Sequence, residues 1–231
     1  MIPGILDREE PEKFSLHAFI DSPLVEVTSD MGIRVKLEYP LRGMEHAVQR
    51  CLMRREVLEK LLEAGSYLPE GISLQIWDAW RPFALQKELY KKYSRDIIAQ
   101  FCLQNASEAE QKKAISAFVS VPEEDRCCPP VHTTGGAVDV TLIDREGKEL
   151  EMGTSFDAFS ERTHTSYFEQ TDEEVIKRNR RLLYHAMTKA GFTNLPSEWW
   201  HYDYGDRFWA FYSKQPAIYD GVFTLGEVTK A

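Results

Sequence analysis

Two short segments, far apart in the chain, each carry a histidine and a carboxylate, and together they constrain the fold most. The first places His132 and Asp139 on either side of a Gly-Gly pair. The second places Glu198 three residues before His201. Two imidazoles, one short carboxylate and one further carboxylate suit a catalytic zinc site, which has three protein ligands, an open position for water and a base beside it. We therefore expect a fold that brings the two segments together.

The first segment favours a turn followed by a strand. On a regular strand, His132 and Asp139 would point to opposite faces, but the glycines between them can turn the chain so that both side chains converge. Asp139 stands between two valines of an alternating run, and a buried carboxylate there needs a partner such as a metal. The alternative interpretation, a surface His132 and an Asp139 that accepts turn hydrogen bonds, stays open at this point.

The second segment predicts a bend. Glu198 and His201 would face opposite ways on a flat strand, so we expect the backbone to bend or bulge near Trp199 and Trp200. The Trp pair is more typical of a core than of a site. A glutamate beside two indoles would be partly desolvated, which raises its pKa toward the range useful for a general base. Glu198 is the candidate base.

Arg81 stands at a predicted strand-to-helix junction. It can pair with Asp78 or with a carboxylate at the helix start. Alternatively, a fixed guanidinium aimed at the site can hold the negative oxygen that develops when a carbonyl is attacked. Among the other histidines, His164 is a candidate for supporting the site from a loop. The remaining three lack a recognisable ligand spacing: His17, His46 and His185.

Composition excludes several classes of partner. The chain has 231 residues, of which 43% are hydrophobic and 28% charged, and a net charge of −9. The acidic balance argues against nucleic acid, and no run approaches the roughly 18 apolar residues of a membrane span. The four cysteines lack a C-x-x-C spacing and are expected to be reduced thiols. The first residues do not resemble a signal peptide, so we expect a cytoplasmic protein; the oligomeric state is not predicted.

Hydrophobic periodicity predicts an α+β fold with an antiparallel sheet that carries the site and flanking helices, in a single domain over 1–231 with an N-terminal extension over 1–20. A capping box of Thr171 and Glu174 is expected to begin the last predicted helix. The expected helices are 44–62, 82–103, 107–118 and 172–190, and the expected strands are 24–28, 33–37, 72–78, 137–142 and 199–204.

Four linked motifs resemble those of the D-alanyl-D-alanine dipeptidases, the family of the vancomycin-resistance dipeptidase, whose fold is shared with the hedgehog signalling domain. They read DAWRP at 78–82, PVHTTGGAVD at 130–139, MGTSFD at 152–157 and EWWHY at 198–202. Their order and gaps match the family pattern, and the resemblance runs from about residue 20 onward. It implies a hedgehog/D,D-peptidase-like fold and one Zn²⁺ per chain.

The resemblance also implies roles for individual residues. The zinc ligands would be His132, Asp139 and His201, the base Glu198, and the residue that stabilises the transition state Arg81. Asp157 would bind the free ammonium of a small dipeptide substrate.

Two substrate-binding assignments are looser. Tyr39 is similar to a family tyrosine at the ammonium end. The family serine two residues before the first ligand is Pro130 here, and Thr133 or Thr134 would have to supply that hydroxyl.

The implied reaction is hydrolysis of D-Ala-D-Ala, or a related D,D-dipeptide with a free amino terminus, to two amino acids. Three alternatives remain at this stage. One is a zinc D,D-carboxypeptidase that acts on longer peptidoglycan peptides. Another is a non-haem Fe(II) oxygenase, because two histidines and a carboxylate also form the iron facial triad. The last is a zinc-binding interaction domain without catalysis. The physiological role of such a peptidase, in D-Ala recycling, wall remodelling or antibiotic resistance, is not predicted.

Overall fold

The structure is a computed structural model that describes residues 1–4, 17–125, 128–225 and 229–230. Short 3₁₀ turns lie at Ser29–Met31, Glu161–Thr163 and Tyr167–Gln170. The strands are β1 Leu24–Val27, β2 Arg34–Val35, β3 Cys51–Arg54, β4 Ser73–Asp78, β5 Ala137–Ile143, β6 Thr193–Asn194, β7 His201–Asp203 and β8 Thr229–Lys230. The helices are α1 Glu38–Leu41, α2 Arg55–Ser66, α3 Phe83–Gln100, α4 Glu108–Ser116, α5 Val131–Thr134, α6 Glu174–Lys189 and α7 Arg207–Ser213.

The larger sheet has five strands in the order β2-β4-β5-β7-β6. Its strands pair antiparallel, except that β2 runs parallel to β4. The central strand, β5, is rich in β-branched residues and is buried along its whole length, as expected for a strand covered on both faces. The predicted α+β fold with an antiparallel sheet is confirmed.

A smaller sheet, in the order β3-β1-β8, joins the same hydrophobic core as the larger one. That shared core favours the predicted single domain over 1–231, which stays a prediction. Most of the predicted N-terminal extension, 1–20, lies outside the described residues. Within its described part, Ala18 and Ile20 donate backbone hydrogen bonds to Ala217 and Ile218, so these positions are attached to the fold.

The helix predicted over 44–62 is wrong in its first half. Residues 51–54 form β3, which pairs antiparallel with β1, and the helix begins only at Arg55. The apolar residues of β3 are buried on both faces, so a continuous apolar run was misread as one side of a helix. Such short runs do not distinguish a buried strand from a buried helix by period alone.

The remaining predictions hold within a few residues at their ends. The helix predicted over 82–103 is α3, with Pro82 at its N-cap, and the helix over 107–118 is α4, which begins with a capping box of Ser107 and Glu110. The capping box predicted at Thr171 is wrong, because α6 starts without a side-chain cap and the Thr171 hydroxyl donates to the Phe168 carbonyl oxygen.

Two further observations concern cysteines and membranes. Cys51, Cys102 and Cys128 are free thiols, as predicted, whereas Cys127 lies outside the described residues. Within the described part of the chain, none of the helices is long and apolar enough to cross a membrane.

Candidate active site

The strand register brings the central carboxylates and one histidine together. Asp139 on β5 stands directly opposite His201 on β7. On its other side, β5 pairs with β4, where the register shifts at Trp77 so that Asp78 also lies opposite Asp139. One extra residue on β4 re-aims the strand end, as bulges beside functional sites do. The sheet therefore collects three chemically active side chains at one end of three neighbouring strands.

The second histidine comes from the one-turn helix α5, which leads into β5. Gly135 ends this turn in the left-handed region, at φ 76°, where a side chain would be strained. A Cβ built on Gly136 would lie 2.6 Å from the Tyr204 carbonyl oxygen, so this close approach requires glycine as well. The glycine pair turns His132 toward Asp139, as the sequence predicted.

Ligand atoms of three side chains converge in one pocket. His132 Nε2 lies 3.2 Å from His201 Nδ1 and 3.4 Å from Asp139 Oδ2, and His201 Nδ1 lies 3.0 Å from Asp139 Oδ1. All three side chains are buried. Ligands about 2.0 Å from a tetrahedral zinc ion lie about 3.3 Å from one another. The two histidines face different oxygens of Asp139, and the separations are short enough for one nitrogen of each histidine and one carboxylate oxygen to share an ion.

The outer nitrogens of both imidazoles support the same interpretation. His132 Nδ1 lies 2.8 Å from the Ala79 carbonyl oxygen, and His201 Nε2 lies 2.9 Å from Asp203 Oδ1. Each outer nitrogen therefore donates its hydrogen to an oxygen, which fixes the tautomer and aims the lone pair of the inner nitrogen at its neighbour. Two lone pairs and a carboxylate facing one another need a cation between them, so the donor set fits a divalent metal.

The surrounding charges favour a cation as well. Burial lowers the pKa of His201, but the carboxylates of Asp203 and Asp139 outweigh it and raise that pKa well above its ordinary value. Burial raises the pKa of Asp139, but His132 and His201 outweigh burial and hold it below its usual range. Only Arg81 supplies a fixed positive charge in direct contact with Asp78 and Asp139 among the described residues.

Glu198 reaches the pocket from a tight turn rather than from a strand. Its backbone N–H donates to the Leu195 carbonyl oxygen, and the His201 N–H donates to the carbonyl oxygen of Glu198. The Asn194 side chain donates to the carbonyl oxygens of both Glu198 and His201, which holds the turn. Trp199 and Trp200 are buried in the core. The predicted bend at the Trp pair is present, and it puts Glu198 and His201 on the same pocket.

Arg81 pairs with Asp78, as one of the two interpretations expected, and it also lines the pocket, whereas its role toward a negative oxygen stays a prediction. Its Nε donates to Asp78 Oδ2 at 2.6 Å, its Nη1 to Gln86 Oε1 at 3.2 Å and its Nη2 to Asp139 Oδ2 at 3.3 Å. Its guanidinium also lies 5.0 Å from the centre of the Tyr39 ring. Asp78 thus holds the guanidinium in place while the Nη2 of Arg81 contacts Asp139, one of the three candidate ligands.

Asp157 lines the same pocket as the candidate ligands, and its backbone lies in the left-handed region at φ 60°, which few residues other than glycine occupy. Backbone strain of this kind is common at functional sites. Its Oδ2 accepts from the Tyr93 hydroxyl at 2.6 Å and from Arg42 Nη1 at 3.0 Å. The Tyr39 hydroxyl lies 3.4 Å from its Oδ1.

The other predicted positions are placed as follows. Thr133 is fully buried beneath the pocket, and its hydroxyl donates to the Arg81 carbonyl oxygen at 3.2 Å. Its role in substrate binding stays a prediction that this position does not favour. Pro130 lines the pocket, and the side chain of Ser120 brings a hydroxyl to the same wall. His164 lines an adjoining cavity that also contacts Glu198.

Sequence reasoning missed three polar groups around the site: Arg42, Tyr93 and Asp203. Asp203 had a detectable signal, because it follows His201 by two residues on a strand and therefore shares its face. Arg42 and Tyr93 had none, because α1 and α3 meet Asp157 only through tertiary packing.

Comparison with known proteins agrees with the geometry of the site. A family model for D-ala-D-ala dipeptidases matches residues 24–219. The chain belongs to this family. It is 33% identical over 181 residues to a D-alanyl-D-alanine dipeptidase of Synechocystis, a match that spans 71% of this chain and 73% of that one. It is 30% identical over 155 residues to a D-alanyl-D-alanine dipeptidase of Escherichia coli, with 67% of each chain covered.

Two solved structures are more distant. One is a mutant of a vancomycin-resistance D,D-pentapeptidase in complex with Zn(II), at 15% identity and a TM-score of 0.42 over 83% of this chain and 91% of that one. The other is VanYB in complex with D-alanine-D-alanine, at 15% identity and a TM-score of 0.44 over 75% and 84%. Neither TM-score reaches 0.5, so neither structure informs the site.

Family membership decides among the alternatives left open by the sequence. The chain is a metallopeptidase of the dipeptidase type, which excludes the oxygenase and the non-catalytic zinc domain.

Proposed function

We propose that this protein hydrolyses D-Ala-D-Ala, or a related D,D-dipeptide with a free amino terminus, and that one Zn²⁺ ion bound by His132, Asp139 and His201 is required. The observation that carries the proposal is the convergence of three buried side chains, each of which offers one ligand atom, in a pocket that Glu198 also lines. The D-configuration of the substrate rests on the family and on the names of its relatives.

In this mechanism Glu198 is the general base. It would accept a proton from the attacking water and pass it to the departing amine. When bound, zinc would activate the water and polarise the scissile carbonyl. Arg81, held by Asp78, would stabilise the negative charge that develops on the carbonyl oxygen, because its guanidinium is already oriented before the substrate arrives.

Asp157 would bind the substrate ammonium, with Tyr39 beside it. A carboxylate in a small cleft favours a peptide that brings its own positive charge and disfavours one whose amine is acylated. This distinguishes a dipeptidase from a D,D-carboxypeptidase that acts on longer peptides. Neither nucleic acid nor membranes are expected to bind this protein. A cytoplasmic location stays a prediction.

The test of the proposed function is a dipeptide panel that varies chirality at each position, run on protein whose zinc has been quantified. We expect D-Ala-D-Ala to be cleaved faster than N-acetyl-D-Ala-D-Ala and faster than the L,L-dipeptide. Preferred cleavage of the acetylated peptide would instead support the carboxypeptidase, and no cleavage of any dipeptide by zinc-loaded protein would refute the proposed function.

The variant Glu198→Gln tests the base. It should keep a full zinc content and lose about 10²- to 10⁴-fold in kcat, the usual range for a general base. Kinetics and metal analysis of the same preparation measure both quantities. Glu59→Gln, an exposed position on α2, serves as the matched control. Turnover retained by a zinc-loaded Glu198→Gln protein would remove Glu198 from the mechanism.

The variant His132→Ala tests the ligand set. It should reduce bound zinc after dialysis to well below one ion per chain, because two remaining donors hold the metal weakly. His46→Ala changes an exposed histidine that pairs with Glu88 and should leave the zinc content unchanged. A normal zinc content in His132→Ala would break the ligand assignment.

A further inference from the structure

We infer that Tyr93 and Arg42 are positioning residues for amine recognition: they hold one oxygen of Asp157 and leave the other to the ammonium group of the substrate. This inference rests on the proposed function, which it deepens by naming the residues that make the pocket selective for an unblocked amine. Neither residue belongs to the four motifs on which the family resemblance depends.

The hydrogen bonds on Asp157 are distributed unequally between its two oxygens. Oδ2 accepts from the Tyr93 hydroxyl at 2.6 Å and from Arg42 Nη1 at 3.0 Å. Among the residues that the structure describes, Oδ1 has only the Tyr39 hydroxyl, at the long distance of 3.4 Å. An ionised carboxylate offers about four lone-pair sites. The unused capacity therefore lies on Oδ1, beside Tyr39 in the pocket lining.

Each of the two donors also packs against an aromatic ring. Tyr93 lies on the long helix α3, is 9% exposed and packs edge-on against Phe159. Arg42 follows α1, and its guanidinium lies 5.0 Å from the centre of the Phe156 ring. Since the side chain of Asp157 is only 14% exposed, its direction is set mainly by these two contacts. A carboxylate held in this way does not have to be reoriented when an ammonium group binds, which lowers the cost of binding.

The same contacts control the charge of Asp157. Burial raises its pKa to about 7, while the Tyr93 hydroxyl, Arg42 and Arg81 act to lower it and Asp139 acts to raise it. Tyr39 is the other titratable group in contact with it. Loss of the Tyr93 hydroxyl would therefore leave more of Asp157 protonated at neutral pH, and a neutral carboxyl group attracts an ammonium group weakly.

The experiment compares Tyr93→Phe and Arg42→Gln with the wild-type protein, all loaded with zinc. Kinetics give kcat and KM for D-Ala-D-Ala, and inhibition gives Ki for N-acetyl-D-Ala-D-Ala. We expect KM to rise about tenfold in each variant, since a hydrogen bond to a charged group is worth about 1.5 kcal/mol or more. Both kcat and the Ki of the acetylated peptide should change less than about twofold. Arg42→Lys, which keeps the charge, should recover part of the loss.

Two control variants remove the same kinds of contact elsewhere. Tyr67→Phe removes a hydroxyl that donates to Glu63 at 2.7 Å, and Arg50→Gln removes an ion pair with Glu26. Both should leave KM unchanged. An unchanged KM in Tyr93→Phe, or an equal rise in KM and in the Ki of the acetylated peptide, would overturn the inference.

The pH dependence of KM separates positioning from a general loss of structure. In the wild type, 1/KM for D-Ala-D-Ala should rise up to about pH 7 as Asp157 ionises and fall above about pH 8 as the substrate amine loses its proton. In Tyr93→Phe the lower limb should move to higher pH, whereas the Ki of the acetylated peptide should show no such shift. A Tyr93→Phe profile that keeps the wild-type lower limb would also count against the inference.

If the wild type does not cleave D-Ala-D-Ala, the proposed function fails, but the inference remains testable. Calorimetry on the zinc-loaded proteins then measures binding of D-Ala-D-Ala and of its acetylated form. Weaker binding of the free amine by Tyr93→Phe than by the wild type would support the positioning role. Equal binding would overturn it.

Discussion

At the scale of single residues, several side chains of the site use different polar atoms for different contacts. Each of the two candidate histidine ligands has its outer nitrogen on an oxygen atom and its inner nitrogen facing the other candidate ligands. Arg81 likewise uses Nε on Asp78 and Nη2 on Asp139. Such residues arrive already oriented, so little ordering remains to be done when a metal or substrate binds.

Asp157 also links function to stability. Its pKa is raised to about 7 by burial in the folded protein, against an ordinary value near 3.9 in an unfolded chain. Between these pH values the folded state holds a proton that the unfolded state has released. The free energy of unfolding therefore falls as the pH rises from about 4 to about 7, and this contribution is complete above pH 7.

The variant Asp157→Asn should remove that dependence. We expect its Tm to fall less than the wild-type Tm between about pH 5 and pH 8, with both proteins in the same zinc state. Scanning calorimetry of the wild type, Asp157→Asn and the exposed control Glu59→Gln measures this difference. Equal losses of Tm in wild type and Asp157→Asn would show that Asp157 is already ionised at pH 5.

At the scale of elements, helix α6 fixes the loops that carry Asp157. Arg180 is 2% exposed and donates from Nε to the Met152 carbonyl oxygen at 2.8 Å. Its other nitrogens donate to the carbonyl oxygens of His164 and Arg162. Burial lowers the pKa of Arg180 to about 9. This buried guanidinium connects three loop carbonyls to one helix, so the segment 152–164, which contains Asp157, is held at both ends.

The variant Arg180→Met should therefore destabilise the fold by about 3 kcal/mol, because it leaves buried carbonyl groups without donors. Denaturant unfolding of the zinc-loaded protein measures the loss. Arg178→Met changes an exposed arginine of the same helix and should cost less than about 0.5 kcal/mol. A similar small cost in Arg180→Met would show that water replaces the guanidinium without penalty.

At the scale of the whole molecule, the sequence predicted elements with a clear period and the chemistry of the site. The strand through Ile76 and the helices α3, α4 and α6 were found because their patterns are unambiguous over many residues. Strand β3 was misread as helix, because both of its faces are buried and its apolar residues therefore show no strand period. The bulge at Trp77 and the contacts of Tyr93 with Asp157 arise from strand pairing and packing, which no local pattern encodes.

Removal of the proposed metal should lower the stability of the entire fold. The three proposed ligands join α5, β5 and β7, so a bound ion stabilises the folded state by about 2.7 kcal/mol when its concentration is a hundred times its Kd. We expect a chelator to lower the Tm of the wild type by several degrees and to leave the Tm of His132→Ala unchanged. Differential scanning fluorimetry measures both Tm values. A wild-type Tm that does not change when the chelator is added would contradict the proposed site.

The pairing of Asp139 with His201 across β5 and β7 has a consequence for biosynthesis. The two partners are 62 positions apart in the chain, and the strand that carries His201 is made after most of the sheet. A ribosome-bound polypeptide that has not reached this strand presents only two of the three proposed donors. Binding of the proposed ion by all three donors would therefore require β7 to pair with β5, which happens late in the synthesis of the chain.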